Sequence, residues 1–172
     1  MTTKPVNTMK GDLMDKNYNL GHFFMDYMTK FPEDCVWQID AGTGKTESKL
    51  SVKSRSIRLA RCLRNAGLRP GDVAVVCGRN HLDVHIPFYA AFMNGLPLAG
   101  IDPIYRYDEI KFHFKTTKPR IVFCEVENFG DIKRAVKDLG LDTKMVTFGE
   151  GDHSLAKFLE IHDDHEPEHT FK

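Results

Sequence analysis

The chain is predicted to fold as an α/β protein built on a parallel sheet. Two observations carry that expectation: four short, apolar strand-like runs lie from residue 73 onward, and stretches with helical periodicity separate them. A third fixes its opening: ahead of the first run come one amphipathic helix and two short strands around a glycine-containing turn, which predict a helix and a β-hairpin.

In chain order, Leu20, Phe23, Phe24, Tyr27, Met28 and Phe31 recur at helical spacing, with Asn19 as N-cap and Pro32 beyond the end. Residues 35–40 (CVWQID) and 46–50 flank the turn AGTGK, the pattern of a hairpin. Ser51 then caps a helix that turns Val52, Leu59, Leu63 and Ala66 inward and ends at Gly67. The apolar runs are 73–77 (VAVVC), 96–101 (LPLAGI), 120–124 (RIVFC) and 144–148 (KMVTF), with helices expected near 81–94, 107–117 and 127–139. The order β-α-β-α-β-α-β follows, with right-handed crossovers. Pro87 inside the 81–94 helix should kink it. Domain boundaries are expected at 1–17 (a flexible N-terminus), 18–160 (the folded domain) and 161–172 (an acidic tail without packed structure). Seven acids stand against two lysines between Glu150 and Lys172, and a helical turn or two is expected there only over 154–159 (SLAKFL).

Composition narrows the function. Over 172 residues, 24 Lys and Arg offset 24 Asp and Glu, so no global field marks a nucleic-acid or membrane-surface binder. The polar N-terminus lacks the apolar run of a signal peptide, and no stretch has the ~20 apolar residues of a membrane span. Cys35, Cys62, Cys77 and Cys124 are widely spaced, without a Cys-x-x-Cys pair. That usage suits reduced thiols in an intracellular compartment, cytoplasmic or peroxisomal. Ser48-Lys49-Leu50 spells a peroxisomal address, but such addresses are read at a free C-terminus, and this chain ends His169-Thr170-Phe171-Lys172.

Four local constellations invite a chemical reading. Gly42-Thr43-Gly44-Lys45-Thr46 looks like the end of a phosphate-binding P-loop, but Ile39 stands where its first glycine belongs and a strand, rather than a helix, follows; it is read as a hairpin turn. His81 and His85 have the i, i+4 spacing of zinc ligands, yet Leu82 replaces the general-base glutamate, so they are read as packing or capping residues. His162, His165 and His169 among Asp163, Asp164, Glu166 and Glu168 could ligate a metal, but an unordered tail cannot preorganise a site. Lys53, Arg55, Arg58, Arg61, Arg64 and Arg69 form a basic helix stretch without stacking aromatics, read as a solvated face rather than a nucleic-acid contact.

Residues 68–124 carry a further signal. Pro70-Gly71-Asp72 enters a strand, Asn80 opens a helix, Gly95 closes it, a strand leads to Asp102-Pro103-Ile104-Tyr105, and Lys118-Pro119 introduces the next strand. In this order and spacing the segment resembles the adenylate-forming superfamily of acyl-CoA synthetases, coumarate–CoA ligases and beetle luciferases, and the resemblance spans roughly residues 18–160. It implies an incomplete N-terminal subdomain of that fold. It also implies a family reaction in which a carboxylate attacks ATP to give an acyl-adenylate, with Mg as the usual metal and coenzyme A as the thiol that then takes the acyl group. The family's Ser/Thr/Gly-rich phosphate loop ending in Pro-Lys-Gly does not occur in these residues, nor does its later adenine-binding segment or its C-terminal lysine. The resemblance therefore assigns no catalytic, cofactor-binding or metal-binding residue here, and it implies a scaffold rather than an active enzyme. Rival expectations are a non-catalytic module that self-associates or pairs with a full-length ligase through exposed apolar surface, and a small P-loop nucleotidase using Lys45 and Thr46.

Overall fold

A computed structural model describes residues 18–163. Helix α1 (Leu20–Met28) opens where its cap permits: the Asn19 side chain accepts the His22 N–H at 3.1 Å, and His22 Nδ1 accepts the Asn19 N–H at 3.3 Å. It ends earlier than the sequence predicts, in turns through Phe31, and that bend lays Tyr27 and Phe31 against Trp37. Phe24 packs on Tyr89 and Phe92 of the third helix. Gly21 makes this approach possible, since a Cβ there would sit 2.6 Å from Met93 Cα.

Strands β1 (Val36–Ile39) and β2 (Thr46–Ser48) pair antiparallel as the expected hairpin. Helix α2 (Lys49–Asn65) begins three residues before the sequence predicts. Ser48 is its cap, accepting the Ser51 N–H, while the Ser51 hydroxyl donates to Glu47 at 2.6 Å. Gly67, at φ 91°, ends it.

Strands β3 (Ala74–Cys77), β4 (Leu98–Gly100), β5 (Ile121–Cys124) and β6 (Lys144–Thr147) form one parallel sheet in the order β4-β3-β5-β6. Between them run α3 (Ile86–Met93), α4 (Tyr107–Thr117) and α5 (Phe129–Asp138), the last entered through a 3-10 turn at Val126–Asn128. Strand alternation divides the core. Ala74, Val76, Phe123 and Val146 face Val52, Leu59, Leu63 and Ala90 on the α1, α2, α3 side. Val75, Cys77, Val122 and Cys124 face Ile110, Phe114, Ile132 and Ala135 on the α4, α5 side.

Two expectations are corrected. Residues 81–85 are turns, and α3 starts at Ile86. Pro87 thus sits in its first turn, where no intrahelical acceptor awaits its missing N–H, and it does not interrupt the helix. The boundary expected at residue 160 falls inside α6 (Leu155–His162), capped by Ser154 and packed on α2. Asn65 donates to the His162 carbonyl at 2.8 Å, and the Asp163 carboxylate, 4% exposed, meets Arg58 at 2.6 Å and Arg61 at 3.3 Å. Residues 161–163 therefore belong to the folded unit, whereas residues 1–17 and 164–172, with His165 and His169, lie outside the described residues.

Candidate functional site

Open α/β sheets bind ligands beyond the carboxyl ends of their strands, where neighbouring strands send their helices to opposite faces. Strands β3 and β5 satisfy that condition: α3 packs on one face and α5 on the other. The segments that leave them meet at once. The Arg79 N–H donates to Glu125 Oε1 at 2.8 Å, and His81 Nε2 lies 3.4 Å from the same oxygen. His81 Nδ1 accepts the Asp83 N–H at 3.1 Å, which leaves Nε2 as the ring nitrogen facing Glu125. The imidazole stands edge-on to Phe148, and Gly78 leaves room for that ring, since a Cβ there would lie 2.8 Å from Phe148 Cε2. Arg79 closes the rim with Glu127 at 3.2 Å.

On the outer side of His81 opens a cleft of about 450 Å³. One wall is the hairpin end (Gln38, Ile39, Asp40, Ala41), and the other is the loop before α3 (Asn80, His81, Leu82, His85). Arg55 braces the walls by pairing Glu47 of β2, at 2.8 Å, and Asp83 of the loop. Burial first, and the neighbouring His81 second, hold His85 below the usual imidazole range, so it is neutral at pH 7. The Thr43 hydroxyl and the N–H groups of Gly42 and Thr43 hold the Asp40 carboxyl below the usual range. Gln38 Oε1 is buried and has no hydrogen-bond partner.

The residues singled out by sequence fall as follows. Lys45 and Thr46 lie on an exposed hairpin, and β2 follows them instead of a helix. The turn's donors point inward: Gly42 N–H and Thr43 N–H both go to Asp40 Oδ1, at 2.8 and 3.2 Å, and Lys45 N–H goes to the Thr43 hydroxyl. A loop whose amides serve its own carboxylate cannot cradle a phosphate. His81 and His85 do not share a helix face, and among the described residues no group of three His, Cys, Asp or Glu is placed to hold a metal. His162 packs on Phe158, with ring centroids 4.6 Å apart. The basic face of α2 is more occupied than the solvated face expected: Arg55, Arg58 and Arg61 pair with carboxylates, and Arg64 donates to Asn94.

Cys77 and Cys124 are register partners in the sheet and fully buried. Burial, then nearby acidic groups and, for Cys124, its neighbouring thiol, push both up to about 12, so they stay protonated and unreactive at neutral pH. Sequence reasoning missed Glu125 and Gln38. Each directly adjoins or belongs to a strand it had located, and for Glu125 the usable signal was its place one residue past the carboxyl end of a central strand.

The AMP-binding enzyme family model matches residues 29–170. Luciferin 4-monooxygenase of Photuris pensylvanica is 32% identical over 95 residues, covering 55% of this chain and 17% of that protein. 4-Coumarate–CoA ligase-like 6 of Oryza sativa subsp. japonica is 32% identical over 99 residues, covering 57% and 17%. Among solved structures, the luciferase-like enzyme of the nonluminescent mealworm Zophobas morio superposes with a TM-score of 0.76 at 30% identity, over 83% of this chain and 34% of that one. The matches thus span about a sixth of the length of these curated relatives. With the parallel sheet and its flanking helices in the expected order, the chain belongs to the AMP-binding enzyme family, the adenylate-forming superfamily of acid–CoA ligases and luciferases.

Proposed function

We propose that these 172 residues serve as amino-terminal scaffold in an ATP-dependent acid–thiol ligase and do not perform adenylation by themselves. Residues 18–163 would belong to the partial N-terminal domain. The single observation that supports this most is the character of the crevice. Phosphoryl and acyl-adenylate chemistry needs preorganised donors and cations around the polyphosphate. Instead, Asp40 consumes the amides of the Gly-Lys-Thr turn, Arg55 and Arg79 are paired with carboxylates, and no Lys or Arg lines the cleft. The residues present do not fit ATP with Mg, and no step is assigned through either. The same argument weighs against a P-loop nucleotidase. Reduced, packed thiols suit a cytoplasmic or peroxisomal setting, and among the described residues no helix is long and apolar enough to cross a membrane.

The test is ATP–pyrophosphate exchange with the purified chain across a panel of aromatic and fatty acids. No exchange is expected with any of them, and exchange above a heat-treated control would overturn the reading. A second reading, an interaction module pairing with a full-length ligase, draws on Ile39, Ile104 and Val126, which are 68%, 70% and 54% exposed. Size-exclusion chromatography with and without a full-length relative separates the two: a monomer that ignores the relative favours the scaffold alone.

A further inference from the structure

The two edges of the parallel sheet are finished differently. On β6, Lys144 is exposed at the strand's entry, and the far end is closed by a bridge to Ser154, where the Thr147 N–H donates to the His153 carbonyl at 2.8 Å. Charge and a covering segment are two ways in which sheet proteins guard an edge. β4 has neither. No charged side chain occurs from Leu96 to Ile101, and Pro97 limits the bare stretch to Leu98–Gly100. The Ala74 N–H donates to the Pro97 carbonyl and the Ile101 N–H to the Val76 carbonyl, both at 2.9 Å, so residues 97, 99 and 101 face β3. By alternation Leu98 and Gly100 turn their N–H and C=O groups outward, and among the described residues no strand pairs with them.

This short edge is complementary to itself. In an antiparallel pair, two residues that face each other can exchange both of their backbone bonds. Leu98 set opposite Gly100 of a second copy, and Gly100 opposite its Leu98, would satisfy every outward group of β4 about a two-fold axis at Ala99. The side chains agree with that register: Leu98 would stand over a glycine, and a Cβ at Gly100 meets nothing within 4 Å, so space for the leucine is already open. The charges agree as well. Asp102, exposed just past the strand, accepts the Ile104 N–H at 2.9 Å and has no cation partner among the described residues. Arg69 is exposed beside the strand's entry, where the Gly71 N–H donates to the Gly95 carbonyl at 3.0 Å. Its guanidinium donates to the Leu68 carbonyl at 3.3 Å, while the Asp72 carboxylate accepts the Arg69 backbone N–H at 2.8 Å. The register puts Asp102 of one copy opposite Leu96 of the other, next to Gly95 and so beside Arg69, on both sides of the axis. We propose that two copies of this chain associate by antiparallel pairing of their β4 edges, centred on Ala99, with Asp102 of each copy answering Arg69 of the other.

The pairing is read as mass in solution rather than as adenylation, so it stands or fails separately from the scaffold reading. The experiment is sedimentation equilibrium of the full 172-residue chain from about ten micromolar to about one millimolar. So short a strand makes a small interface, and a reversible dimer is expected with a dissociation constant on the order of a hundred micromolar. Gly100→Lys leaves the β3 ladder intact, fills the space over the edge and adds a charge, and should weaken the dimer at least about tenfold. Asp102→Arg and Arg69→Asp should each weaken it about tenfold, and the double variant should recover most of the loss, a rescue that simple damage to either turn would not produce. A chain that stays monomeric over the whole range, a dimer that Gly100→Lys leaves unchanged, or charge reversals that the double variant does not rescue would each overturn the proposal.

Discussion

The two faces of the sheet are stabilised differently. The α1, α2, α3, α6 side combines an apolar core with a charged perimeter: Arg55 ties the hairpin to the loop before α3, and Arg58 with Arg61 hold Asp163 at the end of α6. The α4, α5 side is dry at its centre, built of Val75, Val122, Ile110, Phe114 and Ile132 around two buried thiols, and its ion cluster of Tyr107, Lys111 and Asp138 stays on the outer rim of the two helices. The cleft opens on the charged side, and the dry side supplies the rigidity behind it. The contrast lies in what the ion pairs join: segments distant along the chain on the first face, and two successive helices on the second. It also predicts different sensitivities for the two faces, to cavity formation and alkali on the dry side and to loss of ion pairs on the charged side.

The largest expected effect is on the dry face. Phe114→Ala removes a fully buried ring and should cost about 4 kcal/mol of stability, independent of salt, as read by urea denaturation. Next comes alkaline pH. Cys77 and Cys124 titrate near 12 in the fold against 9.0 as the ordinary value, so the stability they contribute is fully present below about pH 9 and is lost as pH rises toward 12. At pH 10 each thiol should account for about 1.4 kcal/mol of loss, and Cys124→Ala should remove roughly half of that pH dependence. A stability unchanged from pH 8 to pH 10 would contradict it.

On the charged face the expected effect is smaller and depends on salt. Asp163→Ala leaves Arg58 and Arg61 without their shared carboxylate and should cost about 2 kcal/mol, since Asp163 is buried but Arg58 is 44% exposed and screened. Detachment of α6 should appear as faster amide exchange over residues 155–162. A loss equal to that of Phe114→Ala would erase the contrast between the faces. The smallest change has the opposite sign. Lys118 closes α4 at φ 42°, a left-handed conformation that costs a side-chain-bearing residue, so Lys118→Gly should stabilise by about 0.5–1 kcal/mol in thermal melts.

Much of the architecture was legible because its signals are local. The four strands show as apolar runs, and α4 over Tyr107–Thr117 falls where helical periodicity put it. The misreadings came from local signals with two solutions. Ser48 and Ser51 are both suitable caps, and the choice depends on Glu47 taking the Ser51 hydroxyl. Pro87 reads as a kink or a helix start, depending on whether residues 81–85 are helical. The partners of the α2 arginines were hidden for another reason: Asp163 lies about a hundred positions away from Arg58 and Arg61, and only the packing of α6 on α2 brings them together. The cleft was illegible for the same reason, because its walls come from two segments some forty residues apart, joined through Arg55.

The central claim, that these residues frame adenylate-forming chemistry without holding its nucleotide, is tested most directly by isothermal titration of the chain with Mg-ATP. The account predicts no saturable heat up to millimolar nucleotide, with or without Lys45→Ala. Saturable binding at millimolar affinity or tighter, abolished by Lys45→Ala, would contradict it and restore the hairpin turn as a phosphate site.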